Sequence, residues 1–136
     1  MSIILPENLL SRIIKRKEEI SSRRTEYQIK RKELIARCNH AVNLLNKIAE
    51  IPLIREYIKQ IGPINLVNMT TESADFYVVL ISGGVCKYKP YLEGSVHPSA
   101  YARLDINEWN DSSLESLAQL DTEEKVIQRL EEVFRC

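Results

Sequence analysis

The sequence predicts an α+β fold: a long, coiled-coil-like N-terminal helix, a small antiparallel sheet of three or four strands, and C-terminal helices. Three observations carry this expectation. No glycine or proline occurs from Glu7 to Glu50, so nothing interrupts a helix there. A β-rich run, Phe76 to Ser82, is followed by Gly83-Gly84 and a second run, Val85 to Lys89, as in a hairpin whose turn needs positive φ. Apolar residues at helical spacing return near the end, first Leu114, Leu117 and Leu120, then Val126, Ile127, Leu130, Val133 and Phe134.

The first segment is read as one helix, roughly 65 Å long at ~1.5 Å per residue. Counted in heptads from Leu10, one column reads Leu10, Lys17, Arg24, Arg31, Cys38, Leu45. The neighbouring column reads Ile13, Ile20, Tyr27, Leu34, Ala41, Ile48 and is apolar throughout. A seam of this kind supports a weak coiled coil rather than a strong zipper. Residues 34–49 carry apolar side chains over a broad face, as a core-facing helix does. Glu19–Arg23, Glu26–Lys30 and Glu33–Arg37 have the acid-before-base spacing of four that supports an exposed helix. The alternative is a break at Ser21-Ser22, with Thr25 and Gln28 as a capping box and the chain folded into a helical hairpin.

Pro52 ends this segment and opens a short helix over 53–61, which Gly62-Pro63 terminates. Ile64 to Met69 reads as a first strand, and Thr70 to Asp75 as a loop. The hairpin register expected from Gly83-Gly84 opposes Ile81 to Cys86 and Val79 to Tyr88. It puts Tyr77, Val79, Ile81, Cys86 and Tyr88 on one face, with Lys87 and Lys89 on the other. The second strand, carrying lysines and stopping at Pro90, reads as an edge. Residues 93–99 read as a loop, and Tyr101 to Ile106 as a further strand with Ala102, Leu104 and Ile106 on one face. Ser112 or Ser113, and then Asp121 with Glu124, are the expected helix starts. The division expected is a charged helix over 1–51 and a small α+β domain over 52–136, cooperative with the helix end.

With 136 residues, 44% hydrophobic and 28% charged, the chain has the size and composition of one globular domain with an appendage. Its 19 basic and 19 acidic residues cancel, yet their distribution is polarised. Residues 12–37 hold ten Lys/Arg against four Glu, while residues 105–136 hold nine Asp/Glu against three Lys/Arg. Such polarity suggests a partner for each end, and the simplest is a second copy. No apolar run reaches the ~20 residues that span a bilayer, and the opening Met1–Pro6 is too short for a secretory leader. Cys38, Cys86 and Cys136 are an odd, widely spaced set, which suits a reducing cytoplasmic or nuclear compartment.

Catalytic motifs are missing: no phosphate-binding glycine loop opens a helix, and no C-x-x-C, H-E-x-x-H or G-x-S-x-G occurs. No metal or cofactor is expected. Cys38 and His40 stand two apart on a helix and project in different directions. Cys86 and His97 are read as a buried strand cysteine and a loop histidine rather than a thiol–imidazole pair. Tyr77, Tyr88, Tyr91 and Tyr101 are read as cross-strand packing before base stacking, and Trp109 as a packing anchor. The expected function is non-catalytic: a protein–protein interaction or assembly module that forms a homo-oligomer, a dimer in the simplest case. Its self-association residues would be Leu10, Ile13, Ile20, Tyr27 and Leu34. Lys15, Arg16, Lys17, Arg23, Arg24, Lys30, Arg31 and Lys32 form a basic stripe suited to an acidic protein surface or, alternatively, to a nucleic-acid backbone.

Overall fold

The computed structural model describes residues 2–70, 75–89 and 100–135. The fold is α+β: a long N-terminal helix, a four-stranded antiparallel sheet and C-terminal helices, in the order α1 (Glu7–Ala49), α2 (Pro52–Gln60), β1 (Ile64–Thr70), β2 (Asp75–Ile81), β3 (Gly84–Lys89), β4 (Ala100–Ala102), α3 (Asp111–Ala118) and α4 (Glu123–Val133). The chain divides into two compact units, Met1–Glu33 and Leu34–Cys136.

α1 is continuous through Ser21-Ser22, so the hairpin alternative does not form. The Thr25 hydroxyl donates to the Ser21 carbonyl at 3.0 Å. This bond back along the same helix replaces the cap that a break would have required. α1 stops where Ile51 takes the extended conformation (φ −61°, ψ 127°) that Pro52 imposes on its predecessor.

In the second unit, helices cover one face of the sheet. Cys38, Ala41, Leu45 and Ala49 of α1 do not act alone there: the buried cluster also contains Ile58, Ile64, Leu66, Val67, Met69, Phe76, Val78 and Leu80. Leu114, Leu117, Ala118, Leu120 and Val126 close it from α3 and α4. Strand order is β1-β2-β3-β4, which makes β2 and β3 the interior strands. β3 is therefore not the edge that its lysines suggested, because β4 pairs with it from Lys87↔Ala102 to Lys89↔Ala100. β1 bulges between Asn65 and Val67, and the extra residue lets both Leu66 and Val67 be buried.

The hairpin register differs from expectation by two residues: Ile81 pairs with Gly84, Val79 with Cys86 and Tyr77 with Tyr88. The turn is Ser82-Gly83. Gly83 carries φ +107°, and no described non-glycine residue has positive φ, so the turn resembles type II rather than I′. Gly84 joins the ladder with φ +133°, and any Cβ there would collide with the Asn46 amide oxygen. That oxygen accepts the Val85 N–H at 2.9 Å, pinning the hairpin to α1. A shift of two preserves the expected faces, since side chains alternate with period two.

β4 is shorter than the strand expected over Tyr101 to Ile106. Asp105 interrupts it by accepting the Trp109 indole N–H at 2.7 Å and the Lys87 ammonium at 3.3 Å, and Ile106–Glu108 forms a 3-10 turn instead. Burial alone would raise the Asp105 pKa, but these two donors outweigh it and hold the carboxyl below its ordinary range. Trp109 is buried against Phe76, ring centres 5.1 Å apart, as an anchor should be. α3 is capped by Asn110, which accepts from Ser113 N at 2.8 Å. α4 is capped by Thr122, which accepts from Lys125 N at 3.2 Å. Asn110 lies two residues before the expected Ser112, and Thr122 one residue after the expected Asp121. Asp121 is engaged elsewhere, by Arg37 at 2.9 Å and Lys125 at 3.1 Å.

Candidate interaction surface on the N-terminal helix

Every residue from Ser2 to Lys30 is exposed, and the earliest residue of the buried cluster is Cys38. For a helix this long, exposure on all sides is compatible with its charge density, since alternating acids and bases at spacings of three and four support it locally. Apolar exposure is what charge density leaves unexplained. Leu10, Ile13, Ile20 and Tyr27 are 41%, 49%, 43% and 53% exposed. Leu9, Ile14 and Ile29 are exposed as well, and the heptad count did not single them out.

Leu34, the fifth expected self-association residue, is placed differently. It is half-buried and packs against the core cluster of the second unit, so that unit already covers part of it. The seam open to another chain is therefore Leu10, Ile13, Ile20 and Tyr27. Its heptad column continues into Ala41 and a neighbouring column into Cys38 and Leu45, all fully buried. One sequence pattern thus serves a core in its second half and solvent-exposed apolar surface in its first.

Of the basic stripe, Lys15, Arg16, Lys17, Arg23, Arg24, Lys30 and Lys32 are exposed and Arg31 is half-buried. Glu18, Glu19, Glu26 and Glu33 on the same segment are exposed too. Arg37, expected to pair with Glu33, reaches across to the α3–α4 corner. Its Nε donates to Asp121 and its Nη2 to the Ala118 carbonyl at 3.2 Å, a cation at a helix C-terminus where the dipole favours one.

The other chemistry-bearing residues have structural surroundings. The Cys38 thiol is fully buried and donates to the Leu114 carbonyl at 3.0 Å. Burial pushes its pKa up to about 11 despite Arg37 nearby. Burial also raises the Cys86 thiol. Tyr77, Tyr88 and Tyr101 form a ladder across β2, β3 and β4, with ring centres 6.2 and 4.9 Å apart. Pro90, Tyr91, the 93–99 loop with His97, and Cys136 lie outside the described residues. Among the described residues, no cluster of His, Cys, Asp and Glu could hold a metal ion, and no helix is long and apolar enough to cross a membrane.

Comparisons with family models, with curated proteins and with solved structures return no match for this chain.

Proposed function

We propose that this protein is a non-catalytic assembly module that self-associates through its N-terminal helix, working in the cytoplasm or nucleus. The observation that carries the reading is the exposed row Leu10, Ile13, Ile20 and Tyr27. A second chain would cover it, as partner helices cover apolar seams in coiled coils. Burying these four half-exposed side chains under a second chain regains about 3–6 kcal/mol from this row, against an association cost of about 4–15 kcal/mol. The balance corresponds to weak association, and the test belongs at high concentration. Sedimentation equilibrium should report a dimer or larger species in the high micromolar range. A clean monomer there would remove the reading.

The competing reading is nucleic-acid binding by the same segment, supported by the exposed Lys15, Arg16, Lys17, Arg23, Arg24, Lys30 and Lys32. The interspersed glutamates oppose it, because they would repel phosphates. Affinity for duplex or single strands that falls steeply with salt would favour it over assembly.

A further inference from the structure

The apolar row of α1 is walled by bases on both sides. Counting heptads as above, Arg16, Arg23 and Lys30 occupy the column on one flank of Ile13, Ile20 and Tyr27. Lys17, Arg24 and Arg31 occupy the column on the other. Two copies of this helix therefore make a poor pair. Side by side in parallel, Lys17, Arg24 and Arg31 would each confront their own copies across the seam. In antiparallel pairing that clash is relieved, but Arg16, Arg23 and Lys30 then face one another along the rim. Either way, like charges meet at three successive heptads, and like-charge juxtaposition is strongly unfavourable at an interface. The surface that suits this row has an apolar centre between acidic walls.

α4 offers one. Ile127 is 44% exposed and lies in a shallow depression lined by Glu123, Glu124, Gln128 and Glu131. Glu124 and Glu131 are seven residues apart, about 10.5 Å along a helix, and so are Arg16 and Arg23, or Lys17 and Arg24. Ile127 sits between its acids as Ile20 sits between its bases. Glu132 is outside this patch, being paired with Arg129 at 3.6 Å.

We propose that the α1 row of one copy docks on α4 of a second copy, Ile20 against Ile127, with Arg16, Lys17, Arg23 and Arg24 facing Glu123, Glu124 and Glu131. This rests on the self-association reading above and names the surface it uses. The interface is charge-complementary, so its strength falls with salt.

The test combines charge reversal and cross-linking on the full-length chain. Arg16→Glu, Lys17→Glu, Arg23→Glu and Arg24→Glu together should weaken association about tenfold or more, as should Glu123→Lys, Glu124→Lys and Glu131→Lys together. A chain carrying both sets should regain the wild-type association constant to within about threefold, because each contact then has its signs exchanged. Circular dichroism of each variant establishes that its helices form. A second measurement needs no charge change. In a Cys136→Ser background, Ile20→Cys chains mixed with Ile127→Cys chains should form a disulfide-linked dimer under mild oxidation, and Ile20→Cys chains alone should not. Association untouched by the α4 reversal, or efficient Ile20→Cys self-cross-linking, would overturn this docking while leaving self-association standing. A wild-type chain that stays monomeric at high micromolar concentration would overturn both.

Discussion

At Gly83 and Gly84, backbone geometry and packing can be separated. Both have positive φ, but a Cβ on Gly83 would meet nothing within 4 Å, whereas one on Gly84 would strike the Asn46 amide. Gly83→Val should therefore cost the backbone strain of positive φ alone, about 1–3 kcal/mol. Gly84→Ala should cost that and the Asn46–Val85 hydrogen bond as well, about 1 kcal/mol more. Asn46→Ala, which leaves the half-buried Val85 N–H without its acceptor, should destabilise by about 1–3 kcal/mol. In the Asn46→Ala background, Gly84→Ala should then cost less than it does alone. A double-mutant cycle in urea reads the difference, and strict additivity would contradict the proposed clash. Cys38 makes a second residue-scale case. With its pKa pushed up to about 11 and its thiol fully buried, it should resist alkylation at pH 8 until the chain unfolds. Mass spectrometry of iodoacetamide-treated native protein, with and without denaturant, measures this.

Between elements, the corner joining α1, α3 and α4 rests on Asp121. Hydrogen bonds from Arg37 and then Lys125 hold its carboxyl below the ordinary value of 3.8. A depressed carboxylate pKa stabilises the fold at all pH values above the unfolded value. That contribution is lost as pH falls from about 4 through the lower folded value. Asp121→Asn should be less stable than wild type at pH 6, by about 1 kcal/mol given the half-exposed Arg37 and Lys125 partners. The gap should narrow as pH drops toward 2, and chemical denaturation at both pH values tests it. Arg37 also shows why an element's local pattern misleads: its spacing from Glu33 is ideal for a helical pair, yet a carboxylate 84 residues away claims it once the helices dock. The sheet teaches the same lesson. The turn glycines located the hairpin and its faces, but Asn46 sets which glycine turns and which pairs. β4 could not be read as a three-residue strand, because Asp105 finds Trp109 and Lys87 only in the folded chain.

On the scale of the whole molecule, the buried cluster draws on nothing before Cys38, with Leu34 and Ile35 packed against it. Removing residues 1–30 should therefore leave thermal unfolding of the remainder within a few degrees of wild type while abolishing self-association. A collapse of the melting transition on truncation would mean that the exposed half of α1 contributes to the core.

The sequence by itself determined the kinds of element, their order and the faces they present. Those depend on periodicity, on glycine and proline placement and on alternation, all of which act within a few residues of chain. It also marked the apolar row of α1 and the bases beside it, because a heptad can be counted without coordinates. Tertiary structure alone decided between the seam and the core for Leu34, which the sequence had placed in both. It alone decided that β3 lies inside the sheet, and that Asn110 and Thr122 cap the last helices. It also left Ile127 exposed between Glu124 and Glu131. These outcomes turn on which polar groups find partners far along the chain, and a side chain's partner is chosen by packing, not by its neighbours in sequence.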